Sequence, residues 1–331
     1  YNHRRQRQMC IRDRLFLSAY GASHPASYRR LRAFLVRMSV FARVPDVRRQ
    51  AAESAAALRN GFRTWLGPSS HIAVDPETGQ EYHWEDVVVC DDRVSEGDRK
   101  RILSAIKSTP IIREASFLFS KGIMIRLDDI PPGGVWVRLL GARYGKAVYR
   151  ATIQTRFHGG YDLAINVNHS LTPDQVEDEI RWLLLAAGAD TQEPLVEEFG
   201  GYWPEQDLWS EEYITGETLE RALRRLGKRE SEGEDERLKL LWPFLAWTGL
   251  SAYVDFWHRT GGRWEISDPD LSNVVVPTVD YQTGVRIVSI AARKTHRGLL
   301  AMMQSFMHEF IEPTVARYPV LEGLVGWDIV F

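Results

Sequence analysis

The sequence predicts an α+β fold in which a helical region, a β-rich region and a second helical region follow one another. Apolar side chains recur at helical spacing over residues 27–41, and an alanine-rich helix is predicted over 46–66. Three β-rich runs begin at Gly133, and from about Thr218 long apolar helices and short β-prone runs complete the chain. Helices and strands grouped in separate stretches are typical of α+β architecture.

The first fourteen residues, YNHRRQRQMCIRDR, are interpreted as a sequencing-adapter artefact, because MCIRDR looks like a translated transposase-type adapter. A basic disordered arm is the alternative interpretation. Leaving this stretch out lowers the formal net charge from −2 to −6 and removes Cys10. Cys90 is then the only cysteine, which fits a reducing cytoplasm.

The composition indicates a well-packed globular protein, since 44% of the residues are hydrophobic and 26% are charged. A net charge close to zero gives no basic field for nucleic acid. No run of about 18 apolar residues is present, so no membrane span is expected. We therefore expect a cytoplasmic protein with neither nucleic acid nor membrane as a partner.

Three domains are expected after the artefact. Residues 15–112 form a helical N-terminal region whose segment HIAVDPETGQEYHW reads as a β-hairpin, followed by a short helix over 95–107. Residues 113–209 form a β-rich small lobe, and residues 210–331 form a helical large lobe. The chain is expected to be truncated after VGWDIVF at its end.

The β-rich region predicts a three-stranded antiparallel meander, because RYGK and FHGG separate its three runs as turns. The next segment, LTPDQVEDEIRWLLLAAG, predicts a helix with Thr172 as its N-cap and Gln175 completing a capping box. In the last region, KLLWPFLAWTGLSAYVDFWHRTGG is apolar on nearly every face and is expected at the centre of a helical layer.

This order of elements resembles the protein-kinase-like fold, which has a small β lobe with one helix, a hinge and a helical lobe. The segment EEYITGETLERAL is similar to the kinase hinge, and DPDLSNVVV is similar to the catalytic loop, with Asp, four residues, Asn and a buried strand. Together with the meander and its capped helix, these stretches cover about Val135 to Ala291.

The resemblance implies a site for ATP and magnesium. Asp268 would accept the proton of the attacking hydroxyl, and Asn273 would hold the magnesium ion. The backbone at Glu212 and Ile214 would pair with adenine. The alternative is that Asp268 and Asn273 belong to a turn between two strands, because Asp-Pro and Ser-Asn favour turns.

The sequence departs from the kinase pattern at several positions. Asn166 stands in place of the phosphate-binding lysine of the third strand, and Ser289 stands in place of the magnesium-binding aspartate. The glycine-rich loop keeps Gly141 and Gly145, with Lys146 at the third glycine. These substitutions remove the groups that neutralise charge during phosphoryl transfer.

Lys146 has two interpretations. Its amine would reach the nucleotide phosphates from the loop, with Glu177 or Glu179 as the orienting carboxylate; or it is a solvated turn lysine, which is favoured because turn tips are polar. Glu177 also has the spacing of a surface ion pair with Arg181.

Three functions follow. The leading hypothesis is a pseudokinase-type module that binds nucleotide or a protein partner and has little or no catalytic activity. The second is an active atypical phosphotransferase that uses Lys146, Asp268 and Asn273. The third is an unrelated α+β binding domain.

Overall fold

The computed structural model describes residues 25–66, 71–108, 111–119, 124–187, 195–227, 232–262, 264–266, 271–277, 286–288, 293–295 and 298–324. They form an α+β fold that divides into two compact units. The first unit runs to Leu184 and includes Glu198–Tyr213, and the second comprises Leu185–Glu197 and the chain from Ile214 onward. The suspected artefact and the segment VGWDIVF lie outside the described residues.

Two helices open the first unit, as the apolar spacing predicts. They are α1, Pro25–Phe41, and α2, Pro45–Leu66. The ring of Tyr28 on α1 stacks on the ring of Phe62 on α2, with centroids 4.2 Å apart. Stacked aromatic pairs of this kind add to the stability gained from apolar burial.

The predicted hairpin and short helix are confirmed, and three further elements were not predicted. The chain continues through the following elements: β1 (Ala73–Val74), β2 (Glu81–Tyr82), α3 (Trp84–Val87), β3 (Val88–Cys90), α4 (Glu96–Ser108) and α5 (Ile111–Phe119). Strands β1 and β2 pair in antiparallel register. Helix α3, strand β3 and helix α5 have no counterpart among the sequence expectations.

A mixed six-stranded sheet forms the centre of the first unit. Its remaining strands are β4 (Val135–Arg143), β5 (Lys146–Gln154), β6 (Gly160–Asn168), β7 (Phe199–Trp203) and β8 (Leu208–Glu212). The strand order is β3-β4-β5-β6-β8-β7. Pairing of β4, β5 and β6 is antiparallel, which confirms the predicted meander, whereas β3 pairs with β4 in parallel.

The two faces of this sheet differ because side chains alternate along each strand. One face contributes Tyr149, Ala151 and Ile165 to a hydrophobic core that also contains Ile102 and Ile106 of α4. Asp98 of α4 lies at the edge of this core, where it accepts hydrogen bonds from the Tyr149 hydroxyl and the ring of His169. Helix α4 therefore covers this face, and Lys146 and Asn166 belong to the opposite one.

Helix α6, Pro173–Ala187, follows β6 and begins as the sequence predicts. The N–H of Gln175 donates to the Thr172 hydroxyl at 3.3 Å, and the N–H of Thr172 donates to the Gln175 side chain at 2.9 Å. This reciprocal pair is a capping box, which satisfies two of the backbone donors that a helix start leaves open.

The second unit contains helices and short strands. Its elements are β9 (Gly216–Thr218), α7 (Leu219–Gly227), α8 (Glu232–Arg259), β10 (Trp264–Ile266), β11 (Val274–Pro277), β12 (Arg286–Ile287), β13 (Arg293–Thr295), α9 (Leu299–Phe306) and α10 (Glu312–Arg317). Strands β12, β11 and β9 form one small sheet, and β10 pairs with β13. A π-helical stretch, Met307–Ile311, joins α9 to α10.

Helix α8 is buried on one face only. Trp242 and Phe256 are fully enclosed, whereas Leu240, Phe244 and Trp247 keep 77%, 59% and 53% of their surface exposed. The prediction that apolar residues on nearly every face place this helix at the centre of a layer is therefore wrong for the second face. In the part of the chain that the structure covers, no helix combines the length and apolarity needed to cross a membrane.

Candidate functional site

A tight turn between β4 and β5 places Lys146 at the first position of β5. Tyr144 and Gly145 have φ values of 52° and 75°, the left-handed pair that a tight two-residue hairpin requires. The carbonyl oxygen of Gly145 accepts hydrogen bonds from the backbone N–H groups of His169 and Ser170 at 2.8 and 3.0 Å. The glycine predicted to contact a cofactor therefore packs against the loop that leads into α6.

Lys146 is buried and paired rather than solvated. Only 7% of its surface is exposed, and its ammonium group contacts the carboxylate of Glu179 on α6, which is 6% exposed. The favoured interpretation of a solvated turn lysine is therefore wrong. The structure selects Glu179 over the exposed Glu177 as the partner on the helix.

The alternative expected for Glu177, an ion pair with Arg181, is not observed. Arg181 contacts Asp178 instead, at 3.4 Å. Glu179 is oriented toward the sheet because it lies on the same side of α6 as the buried Val176 and Leu183.

Two side chains of β8 complete the surroundings of Lys146. The ammonium group lies 4.9 Å from the centre of the Trp209 ring, and the Trp209 ring N–H donates to the Glu211 carboxylate at 2.6 Å. Ammonium groups at this distance from an aromatic face are attracted by the ring quadrupole. Lys146 therefore faces two buried carboxylates, Glu179 and Glu211, and one indole.

Burial raises the pKa of the Glu211 carboxyl above its ordinary value. The nearby charge of Lys146 opposes this shift, but Glu179 already contacts Lys146, and its own negative charge acts in the same direction as burial. Lys146 is therefore near two buried acids, Glu179 and Glu211. Burial raises the pKa of the Glu211 carboxyl because the charged form of a carboxyl loses more from leaving water than the neutral form does.

Asn166 lies on the same face as Lys146. Lys146 pairs with Asn168 across the strands, so Lys146 and Asn166 are diagonal neighbours, a separation that a long side chain spans. Only 1% of Asn166 is exposed, and it lies beside the Glu211 carboxyl. Neither its amide nitrogen nor its amide oxygen makes a hydrogen bond of normal geometry.

The residues of the expected hinge fall in different units. Glu212 ends β8 in the first unit, and its N–H donates to the carbonyl oxygen of Glu198 at 2.8 Å. That N–H is therefore already used and is not open for the expected pairing with adenine. Ile214 belongs to the second unit.

Of the two residues expected to carry catalysis, one is described. Asn273 ends a 3-10 turn before β11, is 6% exposed, and its carbonyl oxygen accepts from the N–H of Val288 at 2.7 Å. Asp268 and Ser289 lie outside the described residues. Among the side chains that are described, no three His, Cys, Asp or Glu residues gather into a group able to hold a metal ion.

Sequence reasoning missed Trp209 and Glu211. The segment LWSEE indicated that Trp209 and Glu211 lie on the same face, because residues two apart in a strand share a face. In the structure Trp209 pairs directly with Asn166.

Comparison with known proteins identifies no family. No protein-family profile matches this chain, and no curated protein matches it.

Proposed function

We propose that the first unit is a kinase-like nucleotide-binding module in which Lys146 takes the part of the third-strand lysine. The observation that supports this proposal is the buried pair between Lys146 on β5 and Glu179 on α6. In protein kinases a lysine of the sheet and a glutamate of the following helix form such a pair, and the lysine contacts the nucleotide phosphates.

The cost of this arrangement supports a functional role. Burying an ion pair removes two charges from water, and the desolvation penalty commonly equals or exceeds their attraction. Here a second acid, Glu211, and an amide with no hydrogen bond of normal geometry, Asn166, are buried beside the pair. Polar groups assembled at such a cost are typical of binding sites.

The side chain of Lys146 suits the phosphates of a nucleotide. An ammonium group carries three N–H donors, so it can contact a phosphate oxygen while keeping a glutamate partner. Asn166, one residue pair away, offers an amide donor to the same ligand. The described residues do not fit a magnesium site around Asn273, so the proposal assigns no step to a metal.

A second candidate is an active atypical phosphotransferase, which the Lys146–Glu179 pair also favours. That activity requires a base and a charge clamp besides the lysine, and the resemblance assigns these roles to Asp268 and Asn273. We prefer the binding module to the phosphotransferase because Ser289 stands in place of the magnesium-binding aspartate, and a hydroxyl does not replace a carboxylate as a ligand of a hard cation.

Titration calorimetry with ATP, run with and without magnesium, tests the proposal. The binding module predicts one ATP bound per chain, similar affinity in both buffers, and no release or transfer of the γ-phosphate. Turnover that disappears in Asp268→Asn would select the phosphotransferase instead. An absence of heat with ATP, ADP and GTP alike would refute both candidates and leave the unrelated binding domain.

A further inference from the structure

A pocket of about 260 Å³ lies within the first unit, between helices α1, α2 and α6 and strand β7. Its walls are mostly apolar, and the aliphatic and aromatic side chains that line it include Val36, Ala55, Ala56, Ile180, Leu184 and Phe199. The volume is slightly below the range typical of sites for drug-sized molecules. The pocket therefore suits a small ligand with an apolar body.

Charged side chains also line this pocket, and two arginines among them have unused donors. Arg32 is 7% exposed and donates to the carbonyl oxygens of Phe199 and Gly200, but its buried Nε has no acceptor. The Nε of Arg59 is likewise buried without an acceptor, and the positive charge of Arg59 acts on the nearby Glu114 carboxyl, lowering its pKa.

The acids near the pocket accept no hydrogen bond from the Nε of either arginine. Glu114 lines the pocket and pairs with Arg63 at 3.1 Å; burial raises the pKa of its carboxyl, and the charges of Arg63, Arg32 and Arg59 lower it. Glu177 also lines the pocket and is exposed to solvent. The fifth charged residue of the lining, Arg181, pairs with Asp178. Positive charge is thus in excess on the pocket wall.

We propose that this pocket binds a small amphipathic oxyanion, with its acidic head on Arg32 and Arg59 and its short apolar tail against the alanines of α2. A buried guanidinium donor without an acceptor is costly, and a carboxylate or phosphate supplies acceptors in the planar geometry that arginine prefers. The apolar walls exclude a bare inorganic ion as the preferred ligand. The proposal is independent of nucleotide binding, because neither Lys146 nor Glu179 lines the pocket.

Octanoate and hexyl phosphate distinguish the two kinds of acidic head, and octanol removes the charge. Titration calorimetry with the whole chain should show one octanoate or hexyl phosphate bound, with a Kd on the order of 0.1–1 mM for so small a ligand. Octanol should bind at least about tenfold more weakly, as expected from losing a charge-assisted hydrogen bond.

Arg59→Gln should weaken the binding of octanoate and hexyl phosphate by about tenfold or more and leave the binding of octanol unchanged. Arg48→Gln is the matched control, since it makes the same change on α2 at an exposed residue outside the lining. Ala55→Phe fills the pocket and should weaken all three ligands, which keeps the test decisive if Arg59→Gln does not fold.

Three results would overturn the proposal. The first is equal affinity for octanoate and octanol, which would show an apolar pocket only. The second is an equal loss of affinity in Arg59→Gln and Arg48→Gln. The third is no binding of either anion at about 10 mM, well above the range expected for ligands of this size.

Discussion

Individual residues around Lys146 show how unevenly charge is distributed inside the first unit. One ammonium group is buried with two carboxylates, those of Glu179 and Glu211. Glu179 contacts the ammonium directly, and Glu211 is bound by the indole N–H of Trp209. The sequence indicated the lysine and its helical partner, but not the second acid, because burial of a strand residue depends on which helices cover each face.

The raised pKa of Glu211 makes a prediction for stability. The unfolded chain loses the proton near the ordinary value of 4.5, whereas the folded protein holds it to higher pH. Stability from Glu211 is therefore fully present below about pH 4.5 and decreases as pH rises toward the folded pKa. Glu211→Gln removes this loss, so the free energy of unfolding of the variant, relative to the wild type, should increase as pH rises above about 4.5.

Urea unfolding at several pH values measures this difference. Glu205→Gln, which changes an exposed glutamate of the same unit, is the control. The difference in free energy of unfolding between this variant and the wild type should not change with pH over the same range. A Glu211→Gln protein that instead loses stability relative to the wild type as pH rises would show that Glu211 is held ionised by Lys146.

Gly145 gives a second prediction at the residue scale. Its φ is +75°, and an added Cβ would lie 2.6 Å from the hydroxyl oxygen of Ser170. Gly145→Ala should therefore lower the free energy of unfolding by about 2–3 kcal/mol, from left-handed backbone strain plus a steric clash.

Two other glycines separate these causes. Gly159→Ala has a similar φ of +71° with open space around it, so it should cost only the strain, about 1–2 kcal/mol. Gly141→Ala meets neither obstacle and should be close to neutral. Equal losses at Gly145 and Gly159 in chemical denaturation would contradict the packing of the turn against Ser170.

At the scale of elements, helix α6 contacts different parts of the first unit on two of its sides. One side directs Glu179 to Lys146, and the other contributes Ile180 and Leu184 to the pocket beside α1 and α2. Its start was predictable, because the capping box is local and depends only on Thr172 and Gln175. The pocket was not predictable, because it needs helices far apart in sequence.

The cap supports a prediction about α6. Thr172→Ala removes the hydroxyl that accepts from the N–H of Gln175 and should cost about 1 kcal/mol in urea unfolding. Thr64→Ala is the control, since Thr64 lies inside α2 and its hydroxyl donates only to the carbonyl of Asn60, a bond that adds no stability to a helix. If both substitutions cost the same, the box does not stabilise α6.

Elements with a clear local signal were predicted, and those defined by distant contacts were not. The meander follows from two turns, and α1 and α2 follow from helical spacing. Strand β3 is three residues long and pairs in parallel with β4 across a long connection, so nothing local marks it. Helix α8 was expected to be enclosed, but apolarity alone does not determine which neighbours cover a face.

At the scale of the whole molecule, the helical N-terminal region folds with the sheet in one unit. Asp98 of α4 ties it there by accepting from Tyr149 and His169, and Arg63 of α2 donates to the carbonyl oxygen of Tyr202 at 2.9 Å. Helix α4 covers one face of the sheet, and helix α6 packs through Glu179 on the other face, which contains Lys146. We propose that nucleotide phosphates bind on this second face.

Removing the charge of Lys146 tests that claim. Lys146→Met should raise the dissociation constant for ATP about ten- to a hundredfold, the effect of losing a charge-assisted contact to phosphate. Lys100→Met, an exposed lysine of α4 that pairs with Glu96, is the matched control. Because Lys146→Met leaves two buried acids without a cation, Lys146→Met with Glu179→Gln provides a second variant with the charge balance restored.

The most direct measurement is the ATP dissociation constant of the wild type, Lys100→Met and the Lys146→Met/Glu179→Gln double variant, measured under identical conditions. We predict that the ATP dissociation constants of the wild type and Lys100→Met agree and that the double variant binds ATP at least about tenfold more weakly. A folded double variant that binds ATP as tightly as the wild type would contradict this prediction.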